Sequence, residues 1–68
     1  SASMPAFYGN IAYFGTTYGR VYAIDVKAKE IKWVYQLSND MINSVRTFKD
    51  GKVIATCVDG KIVILDGE

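Results

Sequence analysis

The feature that most constrains this chain is that it says the same thing twice. At an offset of 41 residues, "SMPAFYGNIAYFGTTYGRVYAID" (3–25) lies over "SVRTFKDGKVIATCVDGKIVILD" (44–66) without a gap. Ser3/Ser44, Phe7/Phe48, Gly19/Gly60 and Asp25/Asp66 are identical, and the apolar runs and turns between them coincide. A period of about 40 residues belongs to architectures that stack one supersecondary unit on the next. In such arrays a single unit cannot bury its own apolar faces, and the neighbours supply the missing cover.

The unit is built of strands. "RVYAID", "KVIATC" and "KIVIL" are β-branched runs of strand length bounded by Gly and Asp. Tyr18-Gly19, Asp50-Gly51 and Asp59-Gly60 are tight-turn dipeptides. These signals predict strands near 4–8, 11–17, 20–25 and 31–37, then 44–48, 52–57 and 61–66. Residues 38–43 read as a connecting loop that has room for one helical turn. In "EIKWVYQL" the alternation places Ile31, Trp33 and Tyr35 on one face, with Lys32 and Gln36 on the other. The inner runs are apolar on both faces: Val21 and Ala23 oppose Tyr22 and Ile24, and Val63 and Leu65 oppose Ile62 and Ile64. A sheet with one wet face alternates cleanly, so these sheets require cover on both sides.

Composition limits what else holds the fold together. At 68 residues the chain is one small domain, and the single cysteine, Cys57, excludes an internal disulfide. There is no histidine, and no cysteine pair for a structural zinc. The net charge of +1 comes from charges that alternate in sign, which argues against nucleic acid and anionic lipid as partners. No apolar run approaches the length of a membrane span. What remains is good packing, or association with other copies.

"MPAF", "IAYFG", "YGRVYAID" and "KEIKWVY" follow one another in an order that resembles the quinoprotein-type, or PQQ-like, β-propeller repeat. The resemblance covers nearly the whole chain. It implies an all-β fold of antiparallel propeller blades: one complete four-stranded blade at 1–37, an inter-blade loop at 38–43, and three strands of a second blade at 44–68. The family's tryptophan-docking pattern maps onto Ala23, Asp25 and Trp33, with the Trp ring lying across the contact between blades. The chain departs from the pattern at Ala28-Lys29, where the family has a Thr-Gly turn. It departs again at Ile64, where Ala is usual, and it ends before a second Trp. WD-repeat propellers share the period, but neither a Gly-His nor a Trp-Asp signature is present. The resemblance favours the cell envelope as the compartment.

No catalytic constellation stands out. Asp25, Asp66, Asp50 and Asp59 all sit at turns, where Asp bonds its own following backbone. Cys57 lies within an apolar strand with no histidine to activate it. Gly15-Thr16-Thr17-Tyr18-Gly19 lacks the Lys-Ser/Thr of a phosphate loop and leads into a strand. Arg46 is the polar residue to watch: on an innermost strand it is a possible axial contact for an anionic ligand. Full quinoproteins hold a quinone and a divalent ion at the ring centre, but the acidic and amide cluster for that is missing here, so no cofactor is expected. The leading expectation is a non-catalytic scaffold segment. Its partners are other blades or copies of itself, with roughly four copies supplying a common-sized propeller. Part of a PQQ-dependent dehydrogenase and a self-contained small β-barrel are the alternatives.

Overall fold

The computed structural model describes residues 4–68, so Ser3 of the Ser3/Ser44 identity lies outside the described residues. Seven strands form: β1 (Ala6–Tyr8), β2 (Ile11–Gly15), β3 (Arg20–Asp25), β4 (Glu30–Gln36), β5 (Ile42–Thr47), β6 (Lys52–Cys57) and β7 (Ile62–Asp66). They make two antiparallel meanders, β1-β2-β3-β4 and β5-β6-β7. Each hairpin forms where the sequence places a turn residue. Asp25 Oδ1 accepts from the Lys27 and Ala28 amides, Asp50 Oδ1 from the Lys52 amide, and Asp59 Oδ1 from the Lys61 amide. These are the local bonds by which Asp stabilises a turn.

The sheets pack face to face. Tyr13, Val21 and Ala23 from the first meet Ile42, Val45, Val53 and Ala55 from the second, and all seven are buried. A sheet buries its apolar face against another layer, and each meander supplies that layer for the other. The junction between the sheets is therefore the core of the chain.

Three details differ from the sequence reading. β5 begins at Ile42, inside the stretch read as a loop, and no helical turn forms at 38–43. The cause is tertiary: the Ile42 amide donates to the Thr16 carbonyl at 3.0 Å, and the Ile42 side chain is fully buried. Ile31 leaves the Trp33 face because the register shifts between Ala23↔Trp33 and Ile24↔Ile31. A β-bulge there takes up one extra residue of β4 and turns Ile31 outward with Ile24. Finally, the gapless repeat holds for β2/β6 and β3/β7 but not for the first strands. Ala6 pairs with Tyr13, whereas Arg46 pairs with Ile54, so the offset there is 40 and Arg46 is the counterpart of Ala6. The first hairpin turns on Gly9-Asn10, the second on the longer Lys49-Asp50-Gly51.

The β3–β4 turn holds Lys29 at φ 60°, a left-handed conformation. A side chain there costs about 1–2 kcal/mol, part of which glycine returns as unfolded-state entropy. Lys29→Gly should raise stability in urea by roughly 0.5–1 kcal/mol. An unchanged or lower midpoint at equal slope would contradict this.

Candidate functional site

The functional candidates are the junction and the surfaces that continue it. Among the described residues no three potential metal ligands come together. Asp66 pairs with Lys52 at 2.7 Å, and the Cys57 thiol, buried, donates to the Met41 carbonyl at 3.2 Å.

Of the three sequence-predicted docking residues, the structure brings two together. Ala23 is fully buried and pairs across the strands with Trp33. The Trp33 ring packs against the core and lies 5.9 Å from that of Tyr13, tilted by 39°. Its Nε1 donates to the Gly67 carbonyl at 3.3 Å, just beyond β7 in the other sheet. Asp25 is not part of this group and serves its own turn. Tyr13 belongs to this group as well. Its hydroxyl donates to the same Gly67 carbonyl at 2.8 Å. Burial first, then the Glu68 charge and Tyr8, hold this phenol above its ordinary pKa of 10.0. A buried tyrosine hydroxyl requires an acceptor, and that was the available signal. Two further bonds cross the junction: Tyr8 Oη to the Lys49 carbonyl at 2.7 Å, and Thr47 Oγ1 to the Phe7 carbonyl at 3.0 Å.

Two glycines permit the close approach. A Cβ on Gly15 would overlap the Ile42 side chain. Gly19 adopts φ 81°, and a Cβ there would overlap the Ser38 carbonyl. The Gly19 carbonyl in turn accepts from the Leu37 amide at 2.8 Å, which starts the connection between the sheets.

That connection is tied down by Asp59, a residue the sequence offered only as a turn former. Ser38 Oγ donates to Asp59 Oδ2 at 2.6 Å, and Lys61 Nζ lies 3.1 Å from the same oxygen. The Ser38 bond, followed by the Lys61 amide, holds the Asp59 carboxyl far below its ordinary value of 3.8. The charged form is thus favoured by folding. Its contribution is complete above about pH 4 and is lost as pH falls toward the depressed folded value. Acid unfolding followed by circular dichroism should begin below about pH 4 in the parent chain, and Asp59→Asn should flatten that limb. Superimposable acid limbs would contradict the role of Asp59.

The opposite face of the first sheet is apolar, with Ala12 buried and Phe14, Tyr22 and Ile24 half-buried, and that of the second mixes apolar and polar side chains. On the first sheet, Phe14, Tyr22 and Val34 form one cross-strand row and Ala12, Ile24 and Ile31 another. Phe14 and Tyr22 stack at 5.3 Å with an angle of 5°. On the second sheet the rows are Arg46–Ile54–Ile64 and Ser44–Thr56–Ile62. Ile62 and Ile64 are 68% and 64% exposed. The Ser44 and Thr56 hydroxyls pair at 2.7 Å within that face. Arg46 is exposed, makes no ion pair among the described residues, and lines an open groove between β1 and β5 of about 540 Å³. Among the described residues β7 has no strand on its outer side. Its edge runs beside a groove of about 280 Å³ lined by Trp33, Val34, Tyr35, Leu65, Asp66 and Glu68.

No family model and no curated protein matches the sequence. Among solved structures the chain is similar to Sqt1 of Saccharomyces cerevisiae, a WD40 propeller, with a TM-score of 0.84 at 18% sequence identity. The match takes in 97% of this chain and 17% of that one, so the chain spans a small part of its neighbour's length. At this identity the likeness is one of fold. The chain is an all-β pair of antiparallel propeller blades, one complete with four strands and one with three.

Proposed function

We propose that this chain is a non-catalytic propeller segment, of the PQQ-like kind, that serves as a protein-interaction scaffold by packing against further blades. Those blades belong to other copies or to a larger propeller. One observation carries the reading: the junction buries one face of each blade, while the other two faces keep apolar side chains exposed, Val34 on the first and Ile62 and Ile64 on the second. Contiguous apolar surface of this kind marks an interaction site on a soluble protein. The three-stranded blade adds an unpaired β7 edge, a second surface that asks for a neighbour. Trp33 and Ala23, paired within the blade and turned toward the next, hold the docking position. Arg46 is available to an anionic group at the inner strands.

If neighbours supply cover, stability depends on concentration, because association favours the folded state by mass action. The melting temperature should rise across a hundredfold increase in protein concentration. A melting temperature that stays constant over that range would count against the scaffold reading. The quinoprotein alternative is tested on the same samples with pyrroloquinoline quinone and calcium. The scaffold reading expects no shift with either, and a saturable shift would favour the dehydrogenase.

A further inference from the structure

The chain contains the template for its own association. In the junction, the first blade presents Tyr13, Gly15, Val21 and Ala23, and the second presents Val53, Ala55, Val63 and Leu65. Moving the first set forward by the 41-residue repeat gives Ile54, Thr56, Ile62 and Ile64, the open face of the second blade. Moving the second set back gives Ala12, Phe14, Tyr22 and Ile24, the open face of the first. Each open face is therefore the repeat counterpart of a face already buried, and the two are counterparts of opposite sides of one contact.

The aromatic bulk changes sides between the buried contact and its open counterpart. In the buried contact the large aromatic, Tyr13, lies on the first blade and the small Ala55 on the second. Their open counterparts are Ile54 and Phe14. The aliphatic side has lost its aromatic, and the facing side has gained a stacked Phe14–Tyr22 pair.

We infer that a second copy of this chain docks head to tail, its Ala12–Phe14–Tyr22–Ile24 face seated on the Ile54–Thr56–Ile62–Ile64 face of the first. The contact is heterologous, so it propagates until a ring closes or a filament forms. At two blades per copy and about four to eight blades per propeller, closure takes roughly two to four copies. This inference rests on the scaffold reading and specifies which surfaces carry it.

Complementary variants test it. Ile62→Lys with Ile64→Lys blocks the second-blade face at residues that are already exposed. Tyr22→Glu blocks the first-blade face, and Val34→Lys, 47% exposed on the same face, replaces it should Tyr22→Glu lose its strand circular dichroism. Each variant alone should be a monomer. Mixed in equal amounts they should form one dimer of about 15 kDa, twice the 7.5 kDa chain, and nothing larger. A first-blade variant that still self-associates, or a mixture that stays monomeric while the parent chain associates, overturns the head-to-tail contact and leaves the scaffold reading standing. A parent chain that is a folded monomer overturns both.

Discussion

Gly15→Ala should cost the fold about 2–3 kcal/mol, the upper part of the range for an overpacked core. The added methyl overlaps Ile42, and the clash includes the Ile42 Cβ itself. Shortening Ile42 to valine or alanine therefore brings no relief, so β5 must move off β2. Ile42 is fully buried and its amide is bonded to Thr16, which resists that movement. A domain of this size has a total stability of roughly 3–10 kcal/mol, so the loss is a large fraction of it. Expressed as temperature, it is a fall of about 10–20 °C. Thermal melts at one fixed concentration measure it, and a fall of less than about 3 °C would show that the sheets do not meet at Gly15.

Trp33→Ala should have an effect of similar size, about 2–4 kcal/mol, because it removes three things at once. The ring leaves the Tyr13 contact, the core loses a half-buried aromatic, and the Gly67 carbonyl loses one of its two side-chain donors. Trp33→Phe separates these contributions: it keeps the ring contact and loses the bond, at about 1 kcal/mol. Because the junction organises the open faces, Trp33→Ala should weaken association far more than Asp59→Asn at neutral pH. Equal dissociation of the two variants on dilution would remove Trp33 from the docking position.

Much of this architecture was legible in the residues. Gly19, Gly51 and Gly60 mark three of the hairpins, and the two-faced runs at 20–25, 52–57 and 62–66 announce sheets that need cover on both sides. The facing of Val21 against Tyr22, and of Val63 against Ile62, follows from strand alternation alone. What stayed hidden depends on contacts far apart in sequence. Nothing local marks the bulge that turns Ile31 outward, since its cause is the register with β3. The start of β5 at Ile42 is set by the β2–β3 turn, and the restraint of Ser38 by Asp59 spans 21 residues. Gly15 reads as an ordinary strand glycine until Ile42 is seen beside it. The changed offset in the first strands also shows how an aligned pair such as Phe7/Phe48 is identical without being structurally equivalent: the β1–β2 and β5–β6 hairpins differ in length by one residue. The docking group was half legible. The family resemblance pointed to Ala23 and Trp33, while the Tyr13 and Trp33 bonds converging on Gly67 required the fold.

The central claim is that these are propeller blades whose open faces are made to be covered by further blades. Mass in solution tests it most directly, by light scattering on a size-exclusion column across a dilution series. The account predicts a discrete oligomer of roughly two to four copies that dissociates on dilution. A single well-folded species at 7.5 kDa throughout the series would contradict it.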